Sequence, residues 1–213
     1  DELCRAHLGH ALSLAQLGRT AEREQVLRDG LRYVATYGMS KSYTGAMQYM
    51  LAELLIDVGR WKEANEFLED NVARGVHGVP AMFTYAYRAR LAAGQGRFAT
   101  VIASAEEVAA LSKDLPQQME PMAIALSARA QSCLWGGAAA EAMAYAVQAD
   151  AISTDPILRV EAKVMVASAA ADLSELARRH GQPRDELPEA VVPGAMEASQ
   201  DHPQLRAFWA TKA

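Results

Sequence analysis

The sequence predicts an all-α fold: a right-handed superhelical stack of antiparallel helix pairs, an α-solenoid with no sheet. The first observation is a recurring turn. A Gly-Arg or Gly-Gly step follows an apolar helical stretch at Gly18-Arg19, Gly59-Arg60, Gly96-Arg97 and Gly136-Gly137. The second is spacing: Gly18, Gly59, Gly96 and Gly137 stand 41, 37 and 41 residues apart. Two helices of about 15 residues with two short turns fill such a period, which is how paired helices repeat in an array. The third is periodicity, since apolar residues recur at helical spacing and no stretch alternates convincingly with period two.

The units are predicted at about residues 1–38, 42–75, 79–113 and 116–154, with a long amphipathic helix over 156–181. In the second unit the first helix runs from Tyr43 to Val58 and the second from Trp61 to Arg74. Ala64, Leu68 and Asn71 form the inner stripe of that second helix, recurring at i, i+4 and i+7. In the fourth, Pro121 to Trp135 precede the Gly136-Gly137 turn, and Ala142, Ala146 and Ala149 hold the same three places. Small residues there let the second helix lie close to the next unit. Gly30 takes the place in the first unit at about 1 kcal/mol of helix propensity, which implies a tight contact; Val101, Ala105 and Val108 take it in the third. Start signals agree: Thr20 ahead of Glu22 and Glu24, Pro80 and Pro121 at first-turn positions, and the Asp155-Pro156 cap. Pro183, Pro188, Pro193 and Pro203 interrupt the pattern, so residues 182–213 are predicted as an irregular helical extension.

With 213 residues, 51% apolar and 22% charged, the chain is expected to bury about 70% of its unfolded surface. It opens at Asp1 in mid-helical pattern, as a fragment of a longer polypeptide would. Apolar runs are interrupted by Glu53 and Asp57, far short of the roughly 20 residues of a membrane span. Cys4 and Cys133 lie far apart within helical patterns, the usage of a reducing compartment, so the protein is expected to be cytoplasmic. A net charge of −5 with scattered Lys and Arg gives no basic stripe for nucleic acid.

Four segments carry a family likeness: Leu17-Gly18-Arg19, the run Leu51 to Ala64 (LAELLIDVGRWKEA), Arg88-Ala89-Arg90-Leu91 and Leu134-Trp135-Gly136-Gly137. Together with Ala171 to Arg178, their order resembles the tetratricopeptide (TPR)-like repeat region of the large ATP-dependent, MalT-like LuxR-family transcriptional regulators of actinobacteria, over about residues 1–180. The resemblance implies repeats that sense an inducer or partner and relay it to a nucleotide-binding module and a helix-turn-helix module. Neither module is in this chain, which has no Gly-x-x-x-x-Gly-Lys-Ser/Thr loop. Where such repeats often place Asn on the first helix, Gly9 and Met50 stand here.

No catalytic constellation emerges, so binding rather than catalysis is expected, with no cofactor. Gly94-Gln95-Gly96-Arg97-Phe98-Ala99 matches a dinucleotide fingerprint but lacks the strand that must precede one, and reads as an interhelical turn. Gly38-Met39-Ser40-Lys41-Ser42 lacks the Gly-Lys core of a phosphate loop. Cys4, His7 and His10 lie near one helical face without a fourth ligand for zinc. Glu63, Glu66, Glu69 and Asp70 read as a solvated helix face.

The remaining candidate is the concave groove that such stacks line with their first helices. Counting nine and six residues back from each turn glycine gives Gly9 and Leu12, Met50 and Glu53, Tyr87 and Arg90, and Ala128 and Gln131. With Tyr49, Phe83 and Trp135 alongside, Met50, Glu53, Tyr87, Arg90 and Gln131 form a candidate cradle for a protein, peptide or small-molecule effector. The alternative is that the aromatics fill space between units. Leu205, Phe208 and Trp209 suggest either a homodimer or a folded-back C-terminal helix.

Overall fold

The structure is a computed structural model and describes residues 2–37 and 41–179. It is entirely helical over that range: α1 (Glu2–Gln16), α2 (Thr20–Tyr37), α3 (Lys41–Asp57), α4 (Trp61–Ala73), α5 (Val79–Gly94), α6 (Phe98–Ser112), α7 (Met119–Trp135), α8 (Ala139–Ile152) and α9 (Pro156–Arg179). The proposed extension over 182–213, with Leu205, Phe208 and Trp209, lies outside the described residues, as do Gly38, Met39 and Ser40.

One turn motif, used four times, explains the glycine period. Gly18, Gly59, Gly96 and Gly137 have φ of 67°, 79°, 69° and 78°, the left-handed region in which a side chain is strained. Each turn closes with two crossing backbone bonds. After α3 the Gly59 N–H donates to the Ile56 carbonyl at 3.1 Å and the Arg60 N–H to Leu55 at 2.8 Å; after α7 the equivalent bonds run from Gly137 to Leu134 at 3.1 Å and from Ala138 to Cys133 at 2.8 Å. Orphan carbonyls at the helix end are thereby satisfied while the chain reverses. Other boundaries have ordinary causes. Pro80 is the second residue of α5, where its missing N–H costs nothing, and Pro121 is the third of α7, still within the first turn. The Asp155 carboxylate accepts the Ile157 N–H at 2.7 Å and caps α9.

Consecutive helices pair, and α1, α3, α5, α7 and α9 touch in succession, while the backbones of α2, α4, α6 and α8 do not approach one another. An array whose odd helices crowd and whose even helices splay must curve, with the odd helices inside. The outer helices α2 and α4 are linked only by long side chains, through Arg28 to Glu24 and Glu63 and Arg60 to the same two carboxylates. Burial pushes the Glu24 and Glu63 carboxyls up, but their bonds to the two arginines outweigh it and hold both below the ordinary value.

The inner stripes of the even helices are closed off from water: Ala64, Leu68 and Asn71 on α4, Val101, Ala105 and Val108 on α6, and Ala142, Ala146 and Ala149 on α8 are all buried. Asn71 is polar and fully buried, and its amide donates to the Gly45 carbonyl at 3.1 Å and to the Thr84 hydroxyl at 3.0 Å. That single side chain ties α4 to both α3 and α5.

Two helical glycines mark the closest approaches and give a paired prediction. A Cβ at Gly45 would lie 2.7 Å from Val76 Cγ1 and 3.4 Å from Pro80 Cβ, in a stiff turn. At Gly30 it would lie 2.7 Å from the Met47 sulfur, the far part of a flexible side chain. Alanine gains about 1 kcal/mol of helix propensity at either site. Gly45→Ala should still lower stability by about 1–2 kcal/mol, because overpacking against a β-branched residue outweighs that gain. Gly30→Ala should stay within about 0.5 kcal/mol of the parent as Met47 moves aside. Chemical denaturation of the two variants checks the order; equal stabilities would contradict it.

Candidate functional site

The inner face of α3 and α5 carries an aromatic stack. The Tyr49 and Phe83 rings lie 4.7 Å apart at 11°, Tyr49 and Tyr87 6.3 Å apart at 17°, and Phe83 and Tyr87 6.2 Å apart at 21°. Helical spacing puts Phe83 and Tyr87 one turn apart on α5, and the lateral contact of α3 with α5 brings Tyr49 against both. Tyr87 is buried, and its hydroxyl donates to Glu53 Oε1 at 2.6 Å. The other Glu53 oxygen accepts from Arg23, which reaches in from α2. Burial, with Glu53 beside it, pushes the Tyr87 hydroxyl well above its usual value and that of Tyr49 up to about 12. Both therefore stay protonated, and Tyr87 remains a permanent donor to Glu53.

One turn further along, a second charged group joins three helices, α3, α5 and α9. Arg90 Nη2 on α5 lies 3.2 Å from Glu161 Oε1 on α9 and 3.4 Å from Asp57 Oδ1 at the end of α3. Burial opposes the Arg90 charge, but Glu161 and Asp57 more than compensate and its pKa is raised. Behind these groups α5, α7 and α9 enclose a cavity of about 40 Å3, lined by Arg90, Ser127, Gln131, Glu161 and four apolar side chains. A wider depression of about 450 Å3, bordered by Lys62, Asn65, Glu66, Gln95 and Arg97, lies on the other side of the stack and opens broadly to solvent.

Asp57 yields a prediction. Its dense surroundings raise the carboxyl from 3.8 to about 6, Arg90 opposing and Glu53 and Glu161 adding to the rise. Half of its side-chain area still meets water, which screens part of the effect. A carboxyl whose folded pKa lies above its unfolded one favours the native state while protonated, and this contribution is lost as pH rises from about 4 to about 6. Carbon-detected NMR should give Asp57 a midpoint clearly above that of an exposed aspartate. The stability of Asp57→Asn relative to the parent should rise over the same interval, and a flat difference would contradict the assignment.

The structure brings most of the sequence candidates together and separates others. Tyr49, Glu53, Phe83 and Arg90 form one contiguous inner surface, Tyr87 is buried beneath it with its hydroxyl on Glu53, and Gln131 borders the cavity beside Arg90. Met50 does not belong to it: only 3% exposed, it packs in the core with Met47, Leu51 and Leu54. The count of nine residues from the turn glycine selects a place that faces the neighbouring unit, which is why Tyr87 and Ala128 are buried there too. Trp135 stands exposed at the last position of α7. The fork of Arg90 is already taken up by Glu161 and Asp57, so it is not the open anion clamp that its position in the sequence suggests. Arg23, Asp57, Ser127 and Glu161 escaped sequence reading. Asp57 was within reach of it, four residues beyond Glu53 and hence on the same helical face. Arg23 lies on an outer helix and Glu161 on a helix with no turn glycine to set its register.

No family model and no curated protein matches the chain. Two solved structures do: forms of a Podosopora anserina protein of kinesin light chain type with nearly identical TPR-like repeats. One has a TM-score of 0.60 at 20% identity, covering 100% of this chain and 98% of that one. The other has 0.58 at 20% identity, covering 98% and 95%. At that identity the likeness speaks for architecture, and with the four repeated glycine turns it establishes this chain as a TPR-like stack of helix pairs.

Proposed function

We propose that the chain is a non-catalytic recognition scaffold that binds an extended protein or peptide segment along its inner face. The observation that carries this reading is the continuous inner face from Tyr49 and Phe83 through Glu53 to Arg90 and Glu161, backed by the buried Tyr87, in which aromatic faces and charged groups from three helices stand side by side. Such a surface offers several shallow contacts in a row, which suits an extended chain. A cavity of about 40 Å3 is well below the roughly 300–1,000 Å3 of sites that enclose small molecules, which argues for a peptide over an enclosed metabolite. Among the described residues no helix is long and apolar enough to cross a membrane.

The finer reading is that this scaffold is the sensing segment of a cytoplasmic LuxR-family regulator, passing partner binding to nucleotide-binding and DNA-binding modules elsewhere in the polypeptide. It rests on the ordered segments from Leu17 to Arg178 quoted above. A free-standing adaptor fits the same surface. The full-length gene separates them: a phosphate loop upstream and a helix-turn-helix downstream support the regulator, and their absence the adaptor. The shared claim is tested by selecting peptides from a displayed random library. Binding of the selected peptides should fall at least tenfold on Phe83→Ser and change little on Arg97→Ala at the outer depression. The reverse pattern would place recognition outside the inner face.

A further inference from the structure

The cavity between α5, α7 and α9 contains an unanswered polar group. Ser127 is more than nine-tenths buried, lines the cavity, and its hydroxyl has no hydrogen-bond partner among the described residues. A buried hydroxyl without a partner costs about 1–3 kcal/mol, so the site is poised for a group that answers it. Glu161 and Arg90 line the cavity together, and Asp57 holds Arg90 from the α3 side, so at neutral pH this group of three carries two negative charges against one positive. Glu53 adds no free charge, being matched by Arg23. The walls around Ser127 and Gln131 are apolar: Ile124, Ala128, Leu158 and Met165.

Size, wall and charge together restrict the occupant. About 40 Å3 admits one or two water-sized groups, enough for an ammonium but not for a ring or a guanidinium with its shell. An apolar wall suits the methylene stem that precedes such a head group. An anion would meet Glu161, and Arg90, the cation that lines the cavity among the described residues, is already engaged by Glu161 and Asp57.

We propose that this cavity is a subsite for a lysine side chain of the bound peptide, its ammonium donating to Ser127 Oγ and the Gln131 carbonyl oxygen while Glu161 and Asp57 balance its charge. The proposal rests on the peptide-binding reading above and adds to it a charge and a position. It also fits the charge of the whole chain, −5, which draws a basic segment toward the stack. The aromatic stack lies on the α3 side of the subsite, so the same peptide would carry apolar residues on one side of the lysine.

The test uses the full chain and three pools of capped nonapeptides with degenerate Ala, Leu and Ser flanks. The pools differ only at the central residue: lysine, its uncharged isostere norleucine, or glutamate. Affinity is read by fluorescence anisotropy, and the lysine pool should bind about tenfold more tightly than norleucine, with glutamate weakest. Ser127→Ala should abolish most of the lysine preference while leaving thermal stability unchanged or higher, since it removes a hydroxyl that has no partner. Glu161→Gln should reduce the preference as well, and keeps the shape if Ser127→Ala proves uninformative. If lysine and norleucine pools bind equally, with binding still lost on Phe83→Ser, the subsite is refuted and the peptide-binding face stands. Preference for the glutamate pool overturns the assigned charge, and failure of all three pools to bind overturns both readings.

Discussion

Replacing Ala142 with Arg is expected to destabilise the C-terminal half of the stack by about 3–5 kcal/mol, the sum of overpacking and burial of an unpaired charge. Ala142 on α8 is fully buried in a cluster with Ala139 and Ala169, flanked by Cys133, Leu134, Met143 and Leu173 from α7, α8 and α9. Three helices close around a single methyl group there. The side chains packed around Ala142 are apolar, so the guanidinium must either stay unpaired in that contact or push the helices apart to reach a carboxylate such as Glu141. In a chain of this size each kcal/mol moves the thermal midpoint by about 2–4 °C, so a fall of roughly 10 °C is expected. Because units in an array stabilise mainly their neighbours, the loss should be local. Hydrogen exchange should show α8 and α9 losing protection well before α3 and α5. A variant that melts like the parent would show that α8 does not present this face to its neighbours.

The second large effect belongs to Glu53→Ala, expected to cost about 3 kcal/mol. By sequence Glu53 is one of the candidate cradle residues of the groove. In the structure its carboxylate instead answers both Tyr87 and Arg23, and the Arg23 side chain is only 11% exposed. Removing one partner of a buried pair costs more than the pair itself contributes, because the remaining charge is left without compensation. Arg23 already has one buried nitrogen with no partner, Nε, so little slack remains. Glu53→Gln keeps an acceptor for Tyr87 and should lose roughly half as much. The double change Arg23→Met with Glu53→Leu should recover most of the loss, since an apolar pair of similar volume often replaces a buried ion pair without penalty. A Glu53→Ala variant as stable as the parent would mean that Arg23 finds another partner or leaves the interior.

How much of this was legible in the sequence follows from what sets each feature. The turn glycines are dictated by backbone geometry, which needs φ above zero at one residue in each turn, so Gly18, Gly59, Gly96 and Gly137 announce the architecture directly. The inner stripe is likewise local, because Ala64, Leu68 and Asn71 share a face by helical spacing alone. The site was only half legible. Spacing within one helix selected Tyr87, Arg90 and Glu53, yet whether such a residue faces the groove or the neighbouring unit depends on the rotation of one helix against the next. Met50 shows the consequence, falling into the core one residue away from half-buried Tyr49. Partners from other units, Arg23 and Glu161, are set by superhelical curvature, and no local pattern encodes that.

Recognition of an extended peptide by the face formed by α3, α5, α7 and α9 can be mapped on the molecule itself. An assigned amide NMR spectrum of the chain, titrated with the lysine nonapeptide pool, should show its largest shifts in a continuous band from Tyr49 and Phe83 through Arg90 to Ser127, Gln131 and Glu161. Residues of the outer helices, such as Lys62, Asn65 and Glu106, should stay unmoved. Shifts confined to the outer helices, or scattered over the stack without such a band, would contradict the account.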